Sequence, residues 1–274
     1  MIALSLSVCA QERTNFDSTN VQGVRQDSVF KYASFIPGHY SSVDIDVLDN
    51  IYLMTERNTL KKIKPNGDST GVFNDVKKYG NPTMIDVSNP LKTLVYYKGF
   101  ATVVVLDRFV TFLNSINLRK ENIFRVQTLA TSYDNNIWIF DEQDLKLKKI
   151  DYDGKVLSET SDMRQIFDEV PQPTQITDRD NLVYLYDPNK GFFIFDYYGS
   201  YKNTLPFLKW EHTAVSKGML MGFIGNTFYS YELNSLTLKS YKLPAFFKDY
   251  DDIKAMNGRV YLLKKDGVEV YSIL

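Results

Sequence analysis

Four copies of one short phrase, strand-like segments after each copy, and a last repeat one strand short together predict an all-β chain. The expected fold is a six-bladed β-propeller of four-stranded antiparallel blades, the last blade closed by an N-terminal strand. The phrase is Asp49-Asn50-Ile51-Tyr52-Leu53. It returns as Asn135-Asn136-Ile137-Trp138-Ile139, as Asp180-Asn181-Leu182-Val183-Tyr184-Leu185 and as Asn257-Gly258-Arg259-Val260-Tyr261-Leu262. Each copy is a polar turn feeding an apolar strand. Tyr52 and Tyr261 lie 209 residues apart, five intervals of about 42 residues, which is the period of a propeller blade.

The elements follow in order. A short strand precedes the phrase, as at 43–47. Second strands fall at 51–54, 94–97, 137–140, 183–186, 220–223 and 260–263, and third strands at 59–63, 102–106, 146–150, 192–195, 227–231 and 268–271. The turns Pro65-Asn66-Gly67, Asp153-Gly154 and Tyr198-Gly199 supply the positive backbone angles that hairpins need, and a more polar fourth strand follows, as at 154–159. The sixth unit ends after its third strand. Residues 27–35 alternate polar and apolar with period two, and pairing them beside 268–273 closes the ring and hides both edges. The one helix-like segment, 163–170, is a turn or two ended by Pro171 and Pro173. The propeller is thus expected over 27–274, after a loosely held polar segment at 11–26 and the remnant of an export leader at 1–10.

That leader is read from the apolar stretch 2–10, ended by Gln11-Glu12-Arg13, with Val8 and Ala10 as the small residues before a cut at Gln11. Two other readings fit the stretch: a lipoprotein signal with Cys9 acylated and kept, and a buried N-terminal strand. Cys9 is the one cysteine of the 274 residues, so a chain cut at Gln11 has no disulfide. No later stretch reaches the roughly 18 apolar residues of a membrane span. The 32 basic and 33 acidic residues give a formal charge of −1, which leaves no basic field for nucleic acid. Aromatic residues make up 14% of the chain, a bias toward pleated, half-buried surfaces.

From Asp49 to Gly67 and from Asp134 to Gly154, the order of Asp or Asn turn, Ile-Tyr-Leu-like strand, Leu-Lys-Lys-Ile strand and Asn-Gly or Asp-Gly turn resembles the NHL repeat and its bacterial six-bladed relatives. The resemblance covers residues 40–274, with four clear units. The second unit has Pro90-Leu91-Lys92 and the fifth Lys217-Gly218 where the Asn turn belongs. The resemblance implies a binding platform; related six-bladed folds include sugar-lactone hydrolases and other metal-dependent enzymes. It is specific for fold and nearly silent on function.

Chemistry-bearing residues are few. His39 and His212 are the two histidines, neither beside a Gly-x-Ser-x-Gly elbow, and both read as structural or surface residues. No His/Cys set has zinc spacing and no Gly-rich loop cradles phosphate. Asp44, Asp46, Asp86, Asp178 and Asp252 fall on or beside first strands, which line the channel. Convergent carboxylates there, with Asp44, Asp46, Asp86 and Asp252 as the candidate set, bind Ca²⁺; otherwise they end strands and cap turns. The crossovers between blades carry Phe207, Trp210, Phe247 and Tyr250, either as packing between blades or as a partner-binding rim. Trp210 is the first of these to test. The function expected is a non-catalytic, exported, protein-binding or scaffold module of the cell envelope: periplasmic, outer-membrane-attached or extracellular. A metal-dependent hydrolase or lactonase working in the channel and a glycan-binding module are the alternatives. No cofactor other than Ca²⁺ is suggested.

Overall fold

A computed structural model describes residues 29–274. The leader, Cys9, and Asp27 and Ser28 of the expected closing strand lie outside the described residues. The chain forms six four-stranded antiparallel sheets. The innermost strands are Tyr40–Ile45, Met84–Asn89, Val126–Thr131, Gln175–Arg179, Glu211–Ser216 and Asp252–Met256, in the first to sixth blades. Each neighbours the innermost strand of the blades before and after it, so they ring a central channel. The expected closure is present: Phe30–Pro37 pairs antiparallel with Gly267–Ile273, from Phe30 opposite Ile273 to Pro37 opposite Gly267. Of the segment 163–170, only Met163–Gln165 is helical, a 3₁₀ turn whose first N–H groups are capped by Asp162.

The repeated phrase is framework, and each of its parts has a physical role. Its polar pair takes the left-handed conformation at the turn: φ is +62° at Asp49, +63° at Asn135, +63° at Asn181 and +50° at Asn257. Asn and Asp tolerate that region best among residues with a side chain. Its aromatic residue is buried between blades, as are Tyr52, Trp138, Tyr184 and Tyr261. The Leu-Lys-Lys-Ile strand supplies the partner. Lys62 lies opposite Tyr52 and Lys149 opposite Trp138. Each ammonium sits over the ring, at 4.9 and 4.6 Å from the centroid. Each then crosses to the next blade: Lys62 donates to the carbonyls of Pro90 and Arg108 at 3.0 Å, and Lys149 to the carbonyl of Tyr197 at 3.4 Å. Burial pushes the Lys62 ammonium below its ordinary pKa, partly offset by Asp46.

The fifth unit differs from the others in its second strand as well as its turn, and the strand difference has a packing reason. Gly222 of its second strand lies under Trp210 of the preceding crossover, and a Cβ there would sit 2.8 Å from the indole. Trp210 stacks on Phe207 at 4.7 Å and on Tyr229 at 5.8 Å, with Phe192 edge-on at 6.0 Å. The crossover therefore inserts into the blade junction, and the blade makes room for it.

Candidate functional site

Two places bring polar or exposed groups together: the channel, and the face formed by the turns joining first to second and third to fourth strands. Period-two alternation aims Asp44, Asp86, Gln175, Thr177, Arg179, Asp252, Lys254 and Met256 inward, and the channel encloses a cavity of about 290 Å³. Lys254 pairs with Asp44 at 3.4 Å, and His212 Nδ1 lies 2.9 Å from Asp252 Oδ1. His212 occupies a bulge with φ +51°, which turns its ring toward the neighbouring strand. Asp86 accepts from the N–H and the hydroxyl of Thr131, both at 2.7 Å, and from the Ser88 hydroxyl at 2.9 Å. Arg179 reaches past the third blade and donates to the Ser88 carbonyl of the second at 2.7 Å, barring the turn end of the channel.

Burial sets the pKa directions. It pushes Asp44 up, partly offset by Lys254, and pushes Asp86 up against the bonds from Thr131 and Ser88. At Asp252 burial acts the same way, but the His212 bond and the Lys254 charge outweigh it and hold the carboxyl below the usual range. Lys254 is held above its ordinary value by Asp44 against burial.

The structure separates the expected calcium set. Asp44, Asp86 and Asp252 belong to the channel wall, but Asp46 does not. The strand ends at Ile45, and the turn rotates Asp46 into the protein. There it accepts from the backbone N–H of Leu48 at 2.8 Å and of Asn50 at 3.0 Å, from the Asn50 amide at 2.7 Å and from the Tyr52 hydroxyl at 3.1 Å. Asp178 is likewise turned between blades, accepting from Ser132 and from Trp138 Nε1, both at 2.9 Å. Among the described residues no three His, Cys, Asp or Glu side chains gather closely enough to hold a metal ion. The donors do not fit Ca²⁺, which needs six to eight converging oxygens.

The expected aromatic rim is core instead. Trp210 is 4% exposed. Phe247 is buried, 5.0 Å from Phe30 and 4.5 Å from Tyr271, and Phe207 and Tyr250 are partly buried against the same interblade clusters. A crossover must cover the gap between sheets, and these rings do so. His39 is a loop residue whose Nδ1 donates to the Lys265 carbonyl at 2.7 Å.

Exposed aromatics occur on both faces and on outer strands, as at Phe100, Phe124 and Phe112, but three tyrosines cluster on the turn face. Tyr133, on a first-to-second turn, packs edge-on against Tyr197 at 5.3 Å. Tyr197 packs on Tyr198 at 4.2 Å, with their hydroxyls 3.1 Å apart. Tyr133 is 57% and Tyr198 72% exposed. Polar bonds between blades fix the turns of this face: Asn89 to Asn135 at 3.0 Å, Asn257 to Asp49 at 2.8 Å, and the Gly218 N–H to Asp180 at 3.2 Å. Sequence reasoning took Tyr198 only as part of a hairpin turn and missed Tyr133, Arg179 and Lys254. Counting in twos back from the phrase through Arg179, Thr177 and Gln175 marks the channel face.

The fold has wide company among solved structures. The virginiamycin B lyase of Staphylococcus aureus, crystallised in a catalytically inactive form with quinupristin, aligns with TM-score 0.59 at 12% identity, over 89% of this chain and 100% of that one. A streptogramin B lyase aligns at 0.57 and 14%, over 85% and 78%. The Neurospora crassa Pan2 WD40 domain aligns at 0.57 and 10%, over 87% and 80%. These likenesses show the β-propeller fold. No protein-family model and no curated protein matches the chain, so the resemblance to the NHL repeat rests on the repeated phrase alone.

Proposed function

We propose that this chain is a non-catalytic propeller that is exported to the cell envelope and binds a protein partner there through its turn face. The observation that carries the proposal is the apolar character of that face. Leu48, Leu91, Phe109, Tyr133, Tyr198 and Leu236 are all exposed, and all six lie on turns joining first to second or third to fourth strands. Tyrosines held by rigid turns offer large contact area at little ordering cost, which suits a protein interface. A solved propeller chain from the mitotic checkpoint complex, 9% identical with TM-score 0.55, is part of an assembly. The argument for export comes from the apolar stretch before Gln11. Among the described residues no helix is long and apolar enough to cross a membrane.

The test compares wild type with a Tyr133→Ala/Tyr198→Ala double variant as bait in envelope extract, followed by titration with the purified partner. The variant is expected to keep its stability within about 0.5 kcal/mol, since neither ring is buried, and to lose at least about tenfold in affinity. Phe100→Ala, on the opposite face, is expected to bind normally. Identical capture by wild type and the double variant, or no reproducible partner, overturns the proposal. Retention on a glycan array that needs the same tyrosines would instead favour the glycan-binding alternative. Fractionation of cells expressing the full chain and one lacking residues 1–10 tests export.

A further inference from the structure

Arg179 is a cation that the framework does not account for. A guanidinium carries five N–H donors, and among the described residues Arg179 spends one of its own, on the Ser88 carbonyl, and pairs with no carboxylate. The carboxylates around it are committed elsewhere: Asp44 to Lys254, Asp252 to His212, and Asp86 to Thr131 and Ser88. Arg179 is partly buried on the channel wall, so its unused N–H donors are open to whatever occupies the cavity.

The placement of Arg179 argues for use. It starts from the fourth blade and reaches the second, so its head lies across the channel as the floor of the 290 Å³ cavity. That volume is near the lower end of small-molecule pockets, which run from about 300 Å³ upward. Directly across the ring, on the first blade, Asp44 gives one oxygen to Lys254, and its other oxygen accepts no bond among the described residues. The cavity therefore offers a forked donor at its floor and an acceptor on the opposite wall, while the Gln175 amide on the lining is committed to Thr177 and Thr213.

We propose that the channel is a binding site for a small organic acid that also carries hydroxyl or amino groups. Its carboxylate is held by the Arg179 fork in two parallel bonds, and its donors are directed to Asp44. Guanidinium and carboxylate match in that planar geometry, which an ammonium does not reproduce. Inorganic phosphate also matches the guanidinium fork, but it has no carbon skeleton to fill the cavity and no ammonium to give Asp44, so it is the competing ligand to be tested. The site is independent of the turn-face tyrosines.

The experiment is calorimetric titration of the purified chain with malate, glutamate and inorganic phosphate. Saturable binding of malate or glutamate is expected, weakened at least about tenfold in Arg179→Ala and less in Arg179→Lys, which keeps the charge and loses the fork. Tyr198→Ala is expected to leave the affinity unchanged. If Arg179→Ala does not fold, Arg179→Lys and Asp44→Asn carry the comparison, each expected to weaken binding about threefold or more. No saturable heat from either organic acid up to about 10 mM, binding of phosphate alone, or equal affinity in the Arg179 variants overturns the proposal.

Discussion

Trp210→Ala distinguishes an interblade pin from a contact residue. The indole is 4% exposed and boxed by Phe207, Tyr229 and Phe192, with Gly222 beneath. Truncating a buried aromatic residue costs about 3–5 kcal/mol. In a domain of this size that lowers Tm by about 6–20 °C, at roughly 2–4 °C per kcal/mol. Gly222 adds an internal check. Alone, Gly222→Ala forces a Cβ to 2.8 Å from the indole, an overpacking cost of about 1–3 kcal/mol. Once Trp210 is gone the clash is gone, and alanine in a strand gains about 0.5–1 kcal/mol over glycine. The two substitutions must therefore couple, with Gly222→Ala destabilising in the wild type and neutral or stabilising in Trp210→Ala. Urea unfolding of the four proteins measures the cycle. A loss below about 1 kcal/mol for Trp210→Ala, or additive effects, refutes the packing argument and returns Trp210 to the surface.

Ring closure is tested by Phe30→Ala, which removes a fully buried ring 5.0 Å from Phe247; it should cost about 3–5 kcal/mol in urea unfolding and speed proteolysis at the N-terminal strand. Lys62→Met keeps an apolar stem over Tyr52 but strips the donor from the Pro90 and Arg108 carbonyls, so a loss of about 2–4 kcal/mol is expected from the two orphaned acceptors; an unchanged midpoint would show that the pin is dispensable. Asp252 has a folded pKa below the ordinary carboxyl value, so its stabilisation is complete above the unfolded value of about 3.9 and is lost as pH falls below it. Asp44 and Asp86, pushed upward, act in the opposite sense: the cost of their ionised forms is relieved as pH falls through their raised values. Unfolding midpoints of Asp252→Asn against wild type between pH 6 and pH 3 (a window of about three units around that value) isolate the first effect, and the variant should lose less stability on acidification; parallel curves contradict the assignment.

The blades, their order and the closing strand were legible because each depends on local chemistry that repeats. Asn and Asp mark positive φ, alternation marks a half-buried strand, and a third strand without a fourth leaves an edge to be paired. Three residues of the candidate channel set, Asp44, Asp86 and Asp252, could be placed by the same counting. Asp46 could not, because its direction depends on where the strand ends, and one residue of turn sends its carboxyl to Asn50 and Tyr52 instead of the channel. The crossover aromatics misled for a related reason. A loop in sequence is usually surface, but between propeller sheets it is also the only segment available to fill the wedge, which is where Trp210 and Phe247 sit.

The repeat also indicates where function should not be sought. Tyr52 with Lys62, and Trp138 with Lys149, are the same device in two blades: a ring, an ammonium over it, and a bond to the next blade. A residue that recurs at equivalent positions serves what recurs, the joint between blades. Recognition of one partner or one ligand needs asymmetry, and a ring supplies it only where the units differ. Among the described residues Arg179 has no counterpart reaching across the channel from another blade, and the clustered tyrosines Tyr133, Tyr197 and Tyr198 meet at a single junction, that of the third and fourth blades.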